Sequence, residues 1–339
     1  MVGPPEQPLL AITMGDPAGI GPEVVLRALA GGELTGQAKL LVVGTGSVLR
    51  QRAERLGLPY ELATVATPTR LREGNLSTAL YQTPGVDLAG LRLGVASAVG
   101  GRASLSYVEQ ALDWAFVGAV DALVTGPINK EALLLAGSAF PGHTELLASR
   151  TGAKGATMML VGGGLRVALV TTHVALRRLP GLLTTERILH TIQVTQQALG
   201  QWFGIKKPRL AVCALNPHAG DGGRFGTEDK AVVTPAVEQA RTKAIDCAGP
   251  LPADALFYHA RQGRYDAVVA LYHDQGLIPV KLLAFDTAVN VTLGLPIIRT
   301  SVDHGTAYDI VEEGVASCQS LVKAVKLAVH FCRMATADR

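Results

Sequence analysis

Leu9-Leu10-Ala11-Ile12-Thr13-Met14 passes directly into Gly15-Asp16-Pro17-Ala18-Gly19-Ile20-Gly21-Pro22-Glu23. The first run is short and almost wholly apolar, as a strand buried on both faces of a parallel sheet must be. Pro22 suits the first position of a helix, and Gly31-Gly32 closes that helix. Strand, glycine-rich turn and helix form the repeating unit of an α/β protein. The turn would present free N–H groups and a positive dipole end to an anion, or to a loop lining one. The other reading is a tight turn that holds no ligand. It is not a dinucleotide fingerprint, because Gly19-x-Gly21 lacks the third glycine.

The same alternation runs down the chain. Apolar runs at 9–14, 39–44, 122–125, 158–161, 166–171, 209–214, 267–271 and 289–293 read as strands. Helical periodicity covers 22–30, 105–117, 145–150, 186–199, 228–245 and 318–333. Thr184 or Thr185 can cap the fourth helix. Pro235 inside the fifth predicts a break or a late start. A second glycine turn, Val43-Gly44-Thr45-Gly46-Ser47-Val48-Leu49, has Leu49 where a third glycine would stand. No acidic residue follows it at the spacing that ribose binding requires.

The bulk numbers bound the function. In 339 residues, 48% are hydrophobic and 17% charged, enough for a large core and the opposite of a disordered chain. The net charge is +3, and Arg177-Arg178 and Lys206-Lys207 are isolated pairs, so no nucleic-acid surface is expected. Four cysteines without a C-x-x-C pair fit a reduced, cytoplasmic protein. Residues 1–8 have no basic segment leading an apolar run, and no stretch reaches the ~18 apolar residues of a membrane span.

Five of the eight histidines fall in polar, turn-like stretches. Three of those, His173, His218 and His273, come just after expected strands. The carboxyl ends of parallel strands converge on one crevice, where ligands bind. Three imidazoles and an open position describe a catalytic divalent-metal site, with zinc the first expectation and magnesium or cobalt the alternatives. Each histidine taken singly can equally be a hydrogen-bonded structural residue. Asn216-Pro217-His218-Ala219-Gly220-Asp221-Gly222-Gly223-Arg224-Phe225-Gly226 carries four glycines and is either mobile or close to a ligand. Lys281, Asn290 and Arg299 lie downstream, and lysine and arginine can hold phosphate.

Five ordered motifs now resemble one family: Gly15 to Glu23, Gly142-His143-Thr144-Glu145, Asn216 to Gly220, Tyr272-His273-Asp274-Gln275-Gly276, and Ile298-Arg299-Thr300-Ser301-Val302-Asp303-His304-Gly305-Thr306-Ala307. That family is the 4-hydroxythreonine-4-phosphate dehydrogenases of pyridoxal phosphate biosynthesis, and the resemblance runs from about Leu9 to about Glu313. It implies NAD- or NADP-dependent oxidation of a secondary alcohol, followed by loss of carbon dioxide from the β-keto acid. It implies His173, His218 and His273 as metal ligands and a homodimer with the active site at the subunit interface. His143, Thr144, Lys281, Asn290 and Arg299 match substrate-binding positions. Asp254 matches an active-site position, and with Lys281 it is a candidate catalytic residue. Asp274 is a further candidate for the base, and the role of Lys130 stays open.

The family is in turn similar to isocitrate and isopropylmalate dehydrogenases, whose cofactor loop resembles His304-Gly305-Thr306-Ala307-Tyr308-Asp309-Ile310. The resemblance places NAD or NADP on His304, Gly305, Thr306, Ala307 and Asp309. It implies two α/β/α domains around a cleft rather than a classical Rossmann domain, with 1–130 and 285–339 in one and 131–284 in the other. Rival readings are a dehydrogenase of threonate or erythronate 4-phosphate, a metal-dependent hydrolase, and a non-catalytic metabolite-binding protein.

Overall fold

The computed structural model describes residues 7–140 and 142–337; most of the N-terminal stretch read for a leader lies outside them. The chain divides into two compact units, Met1–Lys154 with Leu295–Arg339, and Gly155–Gly294.

The first unit runs β1 (Leu9–Thr13), α1 (Gly21–Ala30), β2 (Lys39–Gly44), α2 (Gly46–Leu56), α3 (Pro68–Glu73), β3 (Thr78–Gln82), α4 (Ala98–Phe116), β4 (Ala122–Thr125), α5 (Lys130–Leu135) and α6 (His143–Thr151). The second runs β5 (Thr157–Gly162), β6 (Leu165–Leu169), α7 (Leu179–Leu182), α8 (Thr185–Gln201), β7 (Leu210–Cys213), α9 (Thr234–Thr242), β8 (Cys247–Leu251), α10 (Ala253–Arg261), β9 (Ala267–Ala270), α11 (His273–Ala284) and β10 (Val289–Leu293). The chain then returns to the first unit for β11 (Arg299–Val302) and α12 (Gln319–Ala337).

The seams fall at 154/155 and 294/295, not at the expected 130/131 and 284/285. Packing sets them. Helix α5, which Lys130 opens, lies against α4 in the first unit. Strand β10 pairs with β5 in the second.

Within the first unit the strand order is β3-β2-β1-β4-β11, with every pair parallel. Strand β1 is fully buried, and Leu10 stands between Leu40 and Ala122 in register. Burying side chains such as Leu9, Leu10 and Ile12 contributes roughly 1.5–3 kcal/mol each. Within the second unit the order is β10-β5-β6-β9-β7-β8. Here β5 runs antiparallel to both β10 and β6, and the rest are parallel. The core of this unit gathers Val167, Leu169, Ala211, Val268 and Leu277.

Local signals explain the helices that flank these strands. Thr184 Oγ1 accepts the N–H of Arg187 at 3.2 Å and caps α8, whose buried stripe is Ile188, Ile192 and Leu199. The helix expected over 228–245 is split, as Pro235 requires: a π-turn at Asp229–Val233 comes first, and α9 starts at Thr234. No helix among the described residues is long and apolar enough to cross a membrane.

Candidate active site

In the second unit, β6, β9 and β7 are parallel neighbours, so the segments following them leave from the same edge. His173 follows β6, His273 follows β9 and His218 follows β7. The ring centroids of His173 and His273 are 5.6 Å apart, a spacing at which two imidazoles can share one ion. His273 is not in a loop; it opens α11 after the extended Tyr272. Its Nδ1 lies 2.7 Å from Asp274 Oδ1. With Nδ1–H donating to that carboxylate, Nε2 is the nitrogen left to take an ion.

His218 sits differently. It begins five consecutive left-handed residues, His218 to Gly222, with φ of 53° at His218, 55° at Ala219 and 41° at Asp221. Each non-glycine residue held there costs about 1–3 kcal/mol, so the surrounding structure must hold the turn in place. Asp229, buried at the start of the π-turn, does so from below. Its carboxylate accepts the N–H of Leu215 at 2.6 Å and of Asn216 at 2.9 Å. The His218 ring stands 6.4 Å from that of Phe225. Among the described residues no group of three or more His, Cys, Asp or Glu is close enough to hold an ion. The expected ligand set is therefore only part-formed: His173 and His273 are together and the closed trio is not.

Three more expected residues lie in this unit. Lys281 is two turns beyond His273 on α11, its Nζ 5.3 Å from the Phe285 ring centroid. Asn290 lies on β10 with Oδ1 buried and unpartnered. Asp254 is exposed in the first turn of α10.

The first unit brings His143 and Arg299 together. Arg299 opens β11, is 2% exposed, and donates from Nη2 to Thr125 Oγ1 at 2.6 Å. Burial pushes its guanidinium down to about 9, so the charge persists at neutral pH and an anionic ligand would offset its desolvation. His143 opens α6, and its Nε2 is buried without a hydrogen-bond partner. Burial, and then the charge of Arg299, hold its pKa well below the usual value, so the ring is neutral at pH 7. Thr144 is the next residue of the same first turn, and Lys130 lies beside Gly142. Thr125, which sequence reading passed over, is signalled only by its place at the end of β4.

The two glycine-bearing stretches of this unit prove to be one structure. A Cβ on Gly15 would lie 2.3 Å from Pro127 O, on Gly19 2.7 Å from Thr306 O, and on Gly21 2.2 Å from Met14 O. Ile20 donates its N–H to Thr306 O at 2.9 Å, and Asp16 accepts the O–H of Tyr308 at 2.7 Å. Gly15 and Gly19 are thus required by packing against Pro127 and Thr306, and Gly21 by the turn's own Met14, which favours the turn that lines another loop over one that holds an anion. Thr306 is buried and faces inward, while Gly305 and Asp309 are exposed. The segment beyond is tied down by Arg27 to Gly314 O, Arg52 to Val311 O, and the Ala316 N–H to Glu23.

Residues 36–328 match the family described as pyridoxal phosphate biosynthetic protein PdxA. The chain is 50% identical to the 4-hydroxythreonine-4-phosphate dehydrogenase of Desulfosudis oleivorans, over 95% of this chain and 96% of that one. It is 45% identical to the D-threonate 4-phosphate dehydrogenase of Cupriavidus necator, over 94% and 96%. Its fold matches the crystal structure of the Klebsiella pneumoniae 4-hydroxythreonine-4-phosphate dehydrogenase with a TM-score of 0.86 and 43% identity, covering 96% of this chain and 100% of that one. An α/β chain with these relatives is an oxidoreductase, a dehydrogenase that works with a nicotinamide cofactor. Within that class it belongs to the family of the pyridoxal phosphate biosynthetic protein PdxA.

Proposed function

We propose that this chain oxidises 4-phosphohydroxy-L-threonine with NAD or NADP to 2-amino-3-oxo-4-(phosphohydroxy)butanoate, which loses carbon dioxide to give 3-amino-2-oxopropyl phosphate. The observation that carries this reading is the 50% identity to the Desulfosudis enzyme across nearly the whole of both chains. The residues present fit the chemistry. His173, His218 and His273 would hold a divalent ion, zinc the first expectation: their donors are imidazoles, two of the rings are already paired, and Asp274 orients one of them. When bound, the ion supplies Lewis acidity toward the reacting oxygen and the nicotinamide accepts the hydride.

The chain's own groups do the rest. Arg299 offers a preformed, desolvated cation for phosphate or carboxylate, and neutral His143 beside it can hydrogen-bond without adding charge. Thr144 in the first unit, and Lys281 and Asn290 in the second, are the further substrate-binding candidates that the family resemblance names. Asp254 and Lys281 are the candidates for proton transfer. His304, Gly305, Thr306, Ala307 and Asp309 form the cofactor loop, with exposed Gly305 leaving room for the dinucleotide.

We assign the working form to a homodimer that shares its active sites. Support comes from α11, the helix carrying His273 and Lys281: Ile278 and Leu282 on it and Phe285 just past its end form a stripe, 57%, 81% and 73% exposed. Four free cysteines fit a cytoplasmic setting.

A second reading, oxidation of D-threonate 4-phosphate, is favoured by the Cupriavidus relative. The test is formation of reduced nucleotide with each phosphorylated acid, with and without chelator. The higher kcat/KM is expected for 4-phosphohydroxy-L-threonine, abolished by chelator. A higher value for D-threonate 4-phosphate would replace the first reading with the second. Phosphate release without nucleotide reduction would replace both with a hydrolase.

A further inference from the structure

Around the three histidines, the backbone ladder of the second unit stops short of the residues it has to place. The last bond along β6 and β9 is from Val170 N–H to Ala270 O at 2.9 Å. Beyond it, two side chains continue the lateral pairing. Thr171, buried and two residues before His173, donates from Oγ1 to Leu271 O at 2.7 Å. Leu271, two residues before His273, donates its N–H to Gln275 Oε1 at 2.8 Å. Gln275 then donates from Nε2 to Ala214 O at 2.7 Å, four residues before His218. Both backbone groups of Leu271 are therefore held by side chains. One continuous chain of bonds runs from the His173 segment through the His273 segment to the His218 segment.

The geometry points to Thr171 and Gln275 as positioning residues that set the spacing of the three histidine-bearing segments. The inference rests on the metal reading of those histidines. The residue types are specific to the task. Gln275 accepts at Oε1 and donates from Nε2, two separate atoms of one uncharged side chain; an ionised carboxylate of the same length cannot donate to Ala214 O, and a thioether cannot replace either bond. Gln275 also stands in the first turn of α11, two residues after His273, so the same turn that presents a ring anchors the strand end before His218. Thr171 needs only its hydroxyl, which serine would supply and valine would not.

The test is titration of metal-free protein with Co²⁺, read by the visible absorption of the bound ion and by competition with a chelator. Thermal unfolding of the metal-free variants is followed alongside. Loss of an outer-shell partner typically weakens metal affinity 10- to 100-fold, so Gln275→Met should weaken Co²⁺ at least ~10-fold and shift the bound-ion spectrum. Thr171→Val should do the same in the same direction, and Thr171→Ser should restore wild-type affinity and spectrum. If Gln275→Met does not fold, the Thr171→Val and Thr171→Ser pair decides. Variants that unfold at lower temperature yet bind Co²⁺ with unchanged affinity and spectrum would overturn the proposal, leaving a purely structural role. His273→Ala separates the two levels. If it binds Co²⁺ as the wild type does, the ligand reading itself has failed; if it does not, and the positioning variants behave as wild type, only the positioning role has.

Discussion

Tyr308 donates its phenol O–H to the buried carboxylate of Asp16 across 2.7 Å, joining residues 292 positions apart. Asp16 also accepts the N–H of Ala18 at 2.9 Å. Burial pushes the Asp16 carboxyl above the usual carboxylate value, and these two donors pull it back. Burial, followed by the neighbouring charge of Asp16, raises the Tyr308 phenol, so it stays a donor through the working pH range. The bond holds the strained segment at Ala307, whose φ is 42°, onto the N-terminal glycine turn. Removing the hydroxyl leaves a buried acceptor short of a donor, a loss of about 1–3 kcal/mol. Tyr308→Phe should therefore lower the unfolding free energy by that amount and weaken nucleotide binding. A double-mutant cycle with Asp16→Asn, read by denaturant unfolding, checks it: the two losses should be clearly non-additive.

Gly305 differs from the glycines of the N-terminal turn. A Cβ there would meet nothing within 4 Å, and its φ demands no glycine. The protein's own packing thus gives no reason for glycine at this position, whereas close approach of a dinucleotide does. Gly305→Val should raise the nucleotide KM at least ~10-fold, about 1.4 kcal/mol, while the melting temperature and metal content hold. Gly46→Val is the contrast, because its Cβ would stand 2.8 Å from Leu80 Cδ2 and so disturb the fold itself. An unchanged nucleotide KM in Gly305→Val would remove this loop from the cofactor site.

Much of the fold is legible in the sequence because buried parallel strands write themselves as apolar runs. Ala122–Thr125, Lys39–Gly44 and Val289–Leu293 fall where those runs stand. Strand β11 was not expected, since Arg299-Thr300-Ser301-Val302 looks like a polar loop. It is buried all the same, because Thr300 Oγ1 donates to Ala324 O and Ser301 Oγ to Thr125 O. Helix α11 was hidden by Gly276 and Pro279, residues that normally mark its absence. The histidines were legible from their places after strands, but the bonds of Thr171 and Gln275 were not. Their partners are backbone groups on other strands, about which residue identity says nothing.

His143 gives a pH dependence of definite sign. Its folded pKa lies well below the ordinary 6.5, so below pH 6.5 the unfolded chain binds a proton that the folded chain does not. Its stabilising contribution is complete above the unfolded pKa and is lost as pH falls toward the folded one. The slope is at most about 1.4 kcal/mol per pH unit. His143→Gln, which cannot titrate, should lose less stability than wild type between pH 6.5 and 5. Parallel denaturant midpoints of the two proteins across that range would refute it.

The stripe on α11 tests the dimer through the same helix that presents His273. Ile278, Leu282 and Phe285 recur at the helical spacing, and 81% of Leu282 is exposed in the single chain. A stripe of this kind is stable in water when a second copy covers it. A charge placed there should cost little in an isolated chain, because Leu282 buries almost nothing within its own fold. In a dimer it would be desolvated without a partner, at a cost of several kcal/mol. Leu282→Glu should therefore run as a monomer by light scattering, keep a cooperative unfolding transition, and lose most dehydrogenase activity. Mixing His273→Ala with an inactive variant altered on the partner's side of the site, both with the stripe intact, gives a second check, since the two inactive chains should regain some activity only if they pair. A fully active Leu282→Glu monomer would show that each chain carries a complete site of its own.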